Sequence, residues 1–413
     1  MHKNTKKNPL DESVMEIVKG VIADVRNRGD EALKEYTGKF DGRIPEAWEV
    51  TEEERKAAWK EVPGDVIEAL EKAAQNIRSF HSKQFQQTRM MDMTEDIITG
   101  QMFRPLERVG IYVPGGKACY PSTVLMNAIP AVLAGVGDIA MATPSRGDRG
   151  IAPVLSVAAD IAGVHTIYKM GGSQAIAALA YGTETIAPVD KIVGPGNAYV
   201  AAAKSLVFGD VGIDMIAGPS EVAIIADETA NPAFIAADLI AQAEHDEKAR
   251  VFLFSTSERL LKETEVELQK QCAVLPRREI ASVSLANESA TVLVDSVEEA
   301  FRLANALAPE HLEIQLDNAL AHLSKVKNAG SVFIGSYTPE AVGDYFAGPN
   351  HVLPTSGTAR FSSGLSVDDF VKKTTFVYYS EHALRASAPY VEKLAQEEQL
   401  DGHARAVKVR LES

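Results

Sequence analysis

Between Arg108 and Asn197 the chain alternates short β-rich runs with alanine-rich helical runs, and little else. "RVGIYVPGG", "DIAMATP", "HTIYKMGG" and "KIVGPGN" read as strands, the first, third and fourth ending in a glycine turn. "STVLMNAIPAVLAGV", "APVLSVAADIAG" and "SQAIAALAYG" read as the helices between them. Strands separated by helices of this length pair as parallel neighbours through crossovers, which are right-handed. The pattern resumes with the strand "EVAIIAD", the helix "NPAFIAADLIAQAEHD" and the strand "RVFLFST". It continues through "TVLVDS", a helix from about Val297, and "SVFIGS". In the second series Asn231 and Pro232 form a good helix start, because Asn caps and Pro suits the first turn. The chain is therefore expected to hold two α/β parallel sheets, and the loops "IVGPGN" and "MIAGPS" hint at duplication.

Two flanking regions differ. Residues 12 to 84 are charged and carry apolar residues at helical spacing, with a break at Gly29. After Asp368 the pattern reads as polar and helical to the end, too short for a core of its own. That tail is expected to pack on a neighbouring domain or on a second subunit.

A formal net charge of −15 argues against nucleic acid or an anionic membrane surface as partner, since both call for basic patches. Two cysteines, Cys119 and Cys272, exclude a disulfide framework and a zinc site of three or four cysteines. The long uncharged run from Ala118 to Gly137 contains Asn127, Pro130 and two glycines, so it reads as a loop leading into a buried helix. No apolar run follows the basic start, so no signal peptide is read and a cytoplasmic setting is expected.

Three glycine loops close strands of the first series: "YVPGGK" (Tyr112 to Lys117), "MGGSQA" (Met170 to Ala175) and "GPGNAYV" (Gly194 to Val200). The last has only part of the dinucleotide fingerprint, because Tyr199 stands where the third glycine belongs, and a plain tight turn explains it equally well. Three such loops together favour a ligand crevice at the carboxyl edge of a parallel sheet. No phosphate-binding loop of the Walker type is present, which disfavours phosphoryl transfer.

Two further groups carry candidate chemistry. A helix from Pro232 would place Asp238, Gln242 and His245 on one face, half of a metal site or simply a solvated helix end. Asp344 and His351 in "AVGDYFAGPNHVLP", and His403 in "LDGHARA", are the candidate partners, and oxygen with imidazole ligands suits zinc. In "APEHLEIQL", Glu310 and His311 precede a strand, where a neutral imidazole and a carboxylate could share one site or form a solvated pair. His2, His81, His165, His322 and His382 have no such context. Cys119 lies in a glycine loop, but no histidine or acid partner is readable beside it.

Taken together, the segments "GIYVPGGKACYPSTVLMNAIPA", "YKMGGSQAIAALAYGTETI", "DKIVGPGNAYVAAAK", "DMIAGPSEVAIIAD", "ADLIAQAEHD", "APEHLEI", "GDYFAGPNHVLPT" and "HARAVKVRL" resemble the histidinol dehydrogenase family from about residue 12 onward. The resemblance implies an α/β fold of two incomplete Rossmann-like parallel-sheet domains, a helical N-terminal segment and a small helical C-terminal tail. The boundaries expected are an N-terminal segment 1–20, a discontinuous metal and catalytic domain of 21–107 with 222–365, an NAD-binding domain 108–221 and a dimerisation tail 366–413. It also implies zinc-dependent, NAD-linked oxidation of L-histidinol to L-histidine through the aldehyde, the last step of histidine biosynthesis. Zinc would be held at Gln242, His245, Asp344 and His403, one ion per subunit. The catalytic pair would be Glu310 and His311. Tyr112, Gln174 and Asn197 would contact NAD, while Ser220, Glu398, His311 and the metal ligands would contact substrate. The family forms a homodimer in which the C-terminal histidine completes the partner's site. Asp238 is expected beside the metal ligands, and Glu244 off their face.

One departure stands out. The family segment before the last ligand has glycine after the glutamate, and here Gln399 follows Glu398. Three rival readings stand beside this one. A zinc- and NAD-dependent dehydrogenase of another small alcohol, such as a sulfonated diol, would keep Glu310 and His311 and change the end near Glu398. A zinc hydrolase would have no use for three glycine loops. A non-catalytic binding protein would have no reason to keep a candidate residue at every catalytic position.

Overall fold

The computed structural model describes residues 11–115, 119–145, 150–216 and 218–412. Its strands, in chain order, are β1 (Arg89–Met93), β2 (Ile97–Pro105), β3 (Arg108–Tyr112), β4 (Asp138–Thr143), β5 (Thr166–Lys169), β6 (Lys191–Val193) and β7 (Gly212–Ile213). They continue as β8 (Glu221–Ala226), β9 (Arg250–Ser255), β10 (Ala290–Leu293), β11 (His311–Gln315), β12 (Ser331–Ile334) and β13 (Val371–Tyr379). The chain divides into two compact units: Leu106–Phe370 with the chain up to Gln84, and Phe85–Pro105 with the chain from Val371 on.

The larger unit contains the two expected sheets. One has the order β5-β4-β3-β6-β7 and the other β10-β9-β8-β11-β12, with every neighbouring pair parallel. Counted from its own first strand, each sheet reads 3-2-1-4-5. Each thus has one switch point, between β3 and β6 and between β8 and β11, where the chain turns to build outward the other way. The central strands are apolar on both faces because helices cover both sides. β8 is buried along its whole length: Val222 and Ile224 join one core, Ala223 and Ile225 the other. Val18, Val21 and Val25 of the N-terminal helix Glu12–Arg28 join the core of the first sheet, with Ile176, Leu179 and Ala202.

The smaller unit holds the antiparallel sheet β1-β2-β13 and the helices Glu381–Glu397 and Asp401–Lys408. The expectation of helix throughout the region after Asp368 is corrected here, because Val371–Tyr379 is a nine-residue strand paired with β2 along its length. Its sequence, "VKKTTFVYY", is dense in β-branched and aromatic residues, which favour a pleated surface over a helix. Among the described residues no helix is long and apolar enough to cross a membrane.

Candidate active site

The candidate site gathers at the amino edge of the second sheet. Asn231 Oδ1 accepts the Ala233 N–H at 2.9 Å and starts the helix Pro232–Ala243 directly after β8. A helix that follows a parallel strand runs back antiparallel to it, so its carboxyl end arrives where the strands begin. There lie Ser220 and Glu221 before and at the start of β8, and Glu310 and His311 before and at the start of β11. The helix ends at Ala243, with Glu244 as its cap, and His245 lies in the turn beyond, its N–H donating to the Gln242 carbonyl at 3.2 Å. The single helical face expected for Asp238, Gln242 and His245 is therefore corrected. Gln242 closes the helix, and the turn after it carries His245.

His311 is buried, with 4% of its surface exposed. The Glu221 carbonyl lies 3.2 Å from Nδ1 and can only accept, so Nδ1 carries a proton and Nε2 a lone pair. Nδ1 also lies 3.1 Å from the Gln242 amide. Nε2 is buried without a hydrogen-bond partner and faces Asp344 Oδ1 at 3.8 Å. Burial, then the neighbouring His245 and His351, push the ring down to about 3, so it is neutral near pH 7.

Around this ring are five carboxyl groups: Asp238, Glu310, Glu313, Glu340 and Asp344. Among the described residues no lysine or arginine pairs with any of them. Glu310 accepts the Glu221 N–H at 3.1 Å and a hydrogen bond from Ser220, yet burial and then the charge of Asp344 raise its carboxyl well above the ordinary range. Burial lifts Asp344 to about 6. Glu313 and Glu340 are likewise raised well above the ordinary range, first by burial and then by the other carboxylates. Asp238 is linked to Glu313 and to the Gln315 amide, which donates to both carboxyls at 3.4 and 3.2 Å.

The donor atoms of His245, Glu340 and Asp344 all fall within 4.8 Å of one another, a grouping that can hold a metal ion. Gln242 belongs to the same group through Glu340. Its amide lies 3.0 and 3.1 Å from the two Glu340 oxygens, and when its nitrogen faces them it donates to the carboxylate and leaves its own oxygen free. Glu340 escaped the sequence reading. The signal was there: Glu340 and Asp344 are four apart at the start and near the end of the helix Glu340–Tyr345, hence on one face. His351 is half-buried beside them, its Nδ1 donating to the Asp344 carbonyl at 2.9 Å. Burial holds its pKa at about 4.

The glycine loops meet at the carboxyl edge of the first sheet. The Gly172 N–H donates to the Tyr112 hydroxyl at 3.1 Å. Gln174 is fully buried, and neither end of its amide has a partner. Asn197 caps the helix Ala198–Val207, accepting the Tyr199 and Val200 N–H groups at 3.0 and 3.1 Å. Side chains are excluded where the loops converge: a Cβ on Gly115 or Gly171 would lie 2.3 or 2.6 Å from Pro144. Lys117 lies outside the described residues. Glu398 and His403 belong to the smaller unit, exposed on its helical hairpin.

Two parallel sheets of matching order, glycine loops at one sheet edge and a buried histidine among carboxyls define an α/β protein with a candidate ligand crevice and a candidate acid–base site. A profile described as histidinol dehydrogenase matches residues 4–411. The chain is 54% identical over 405 residues to histidinol dehydrogenase of Bacillus cereus, covering 98% of this chain and 94% of that one. It is 55% identical over 397 residues to the enzyme of Clostridium acetobutylicum, covering 96% and 92%. The crystal structure of histidinol dehydrogenase from Elizabethkingia anophelis superposes with a TM-score of 0.93 at 44% identity, covering 97% and 93%. The chain belongs to the histidinol dehydrogenase family. These relatives lend no support to the alternative of another small alcohol.

Proposed function

We propose that the chain oxidises L-histidinol to L-histidine in two NAD-linked steps at the amino edge of the second sheet. The observation that carries this reading is the Nε2 lone pair of His311, buried, unpartnered and surrounded by acidic groups that lack a cation. Zinc fits that setting: His245 and Asp344 converge, the amide oxygen of Gln242 can be turned free, and the carboxyl cluster needs positive charge. In this reading Gln242, His245, Asp344 and His403 hold one ion, which supplies Lewis acidity and a fixed anchor for the substrate's nitrogens. NAD⁺, held along Tyr112, Gln174 and Asn197 in residues 108–221, supplies the hydride acceptor.

His311 Nε2 takes the carbinol proton as hydride leaves carbon, giving the aldehyde. His311 passes that proton on to solvent, Glu310 takes a proton from the water that adds to the aldehyde, and the again neutral His311 accepts the hydrate's proton as the second hydride leaves to a second NAD⁺. The raised pKa of Glu310 makes its ionised form a stronger base than a solvated carboxylate. Ser220 positions Glu310, and Ser220 and Glu398 bind the substrate's ends. Two copies assemble, and His403 completes the site of the second copy. In support, the smaller unit exposes Met90, Met93, Val377, Tyr378, Tyr390 and Leu394, an apolar surface of the kind that pairs with another.

The test is absorbance of NADH with zinc-loaded protein, L-histidinol and NAD⁺. About two NADH per histidinol are expected, one for each hydride. Substitution His311→Asn should cut turnover by roughly 10²- to 10⁴-fold while bound zinc, read by metal analysis, stays stoichiometric. Full turnover in that variant would remove His311 from the role of base.

A further inference from the structure

A buried ion pair lies beneath the glycine loops, apart from the acidic site. Lys204, on the helix Ala198–Val207, pairs with Asp214, and the two side chains are only 2% and 1% exposed. Both partners also reach Gly194. Lys204 Nζ donates to the Gly194 carbonyl at 2.9 Å, and Asp214 Oδ2 accepts the Gly194 N–H at 2.8 Å. Each polar backbone group of this one glycine is thus held by one charge of the pair.

Gly194 is a demanding position. Its φ is +109°, and a Cβ there would lie 2.1 Å from the Tyr112 carbonyl oxygen. Only glycine fits where the loop after β6 presses on the end of β3, at the switch point of the first sheet. That same freedom leaves the residue with nothing of its own to hold its conformation. Asp214 also accepts the Met215 N–H at 2.7 Å through Oδ1. One carboxylate thereby holds both the glycine that opens the loop Gly194–Asn197 and the backbone just after β7.

Stability alone does not account for such a pair, since well-packed apolar replacements of buried ion pairs are commonly as stable or more so. An apolar pair cannot hold both backbone groups of a glycine. We propose that Lys204 and Asp214 are positioning residues for the cofactor: they fix the Gly194–Asn197 loop for the dinucleotide. The inference rests on the reading of that loop as part of the NAD site.

The experiment uses the full-length, zinc-loaded protein with Lys204→Met and Asp214→Asn combined, which removes both charges at similar volume. NADH fluorescence titration should show the Kd raised roughly tenfold, with KM for NAD⁺ rising more than kcat falls. A Kd and KM within about twofold of the parent overturn the proposal. Asn197→Ser, which keeps a capping oxygen and removes the amide, separates the two readings. An unchanged Kd in that variant removes the loop from the NAD site. A Kd weakened there but not in the double variant removes only the positioning role. Should the double variant not fold, amide exchange in the parent decides. Without NADH, the Gly194 and Met215 amides should exchange far more slowly than exposed loop amides. Exchange as fast as an exposed loop, slowed only on adding NADH, overturns the proposal.

Discussion

Gln399 stands where the resemblance implies a glycine, and the structure shows what that asks of the backbone. Its φ is +60°, in the left-handed region. The Leu400 N–H donates to the Ala395 carbonyl at 2.8 Å and the Gln399 N–H to the Gln396 carbonyl at 3.0 Å. Together these bonds form a Schellman close on the helix Glu381–Glu397, whose left-handed position favours glycine. A side chain there costs about 1–2 kcal/mol, against which glycine's freedom in the unfolded chain sets about 0.4–1 kcal/mol. Gln399→Gly should therefore stabilise the protein by up to about 1 kcal/mol, read as a higher urea midpoint at unchanged slope. A lower midpoint would show that the glutamine side chain has contacts worth more than the strain. The sequence showed that the residue was unusual, but the backbone sign at that position was not readable from it. The same holds for His311. Its pairing with Glu310 was legible from adjacency, whereas the orphaned Nε2 depends on the carbonyl of Glu221, ninety residues away.

Elements decide which end of a side-chain pattern becomes the site. The helix start at Asn231 and Pro232 was legible because capping is local chemistry. Its end was not, since the turn that turns His245 out of the helix is set by what Gln242 and Asp344 approach. Strands β3, β4, β8 and β9 were legible as apolar runs, and β13 was missed because its polar face hid a β-rich composition. Asp238 shows what helix placement costs. It sits on the buried side of Pro232–Ala243, its carboxyl pushed up to about 6, chiefly by burial, beside Glu313. A carboxyl raised in the fold keeps its proton where the unfolded chain has already lost it. Stability therefore falls as pH rises from about 4, the unfolded value, through about 6. Asp238→Asn should remove the share of that slope due to Asp238 in metal-free protein, leaving that of Asp344 and the buried glutamates, so that the variant's advantage in thermal midpoint grows between pH 4 and 7. Parallel midpoint curves for variant and parent across that range would show that Asp238 is not the group that titrates.

At the scale of the molecule, two sheets with one strand order divide the labour. In the proposed reading, the first would present its carboxyl edge and glycine loops to the cofactor, and the second its amino edge, with His311, to the chemistry. The third group of proposed ligands, Glu398 and His403, stands in a separate unit rich in exposed apolar side chains. If His403 serves the second copy, a functional site needs His245 from one chain and His403 from the other. Neither His245→Asn nor His403→Asn alone would then leave an intact site. Unfolding and refolding the two variants together in equal amounts would make half the dimers mixed, and each mixed dimer would contain one intact site of its two. Recovery of about a quarter of parental activity is the expected outcome. A site built within a single chain predicts no recovery at any mixing ratio, because every chain in the mixture lacks one of the two ligands. Titrating the ratio of the two variants sharpens the distinction further: shared sites give activity that peaks at equal amounts and falls symmetrically to either side.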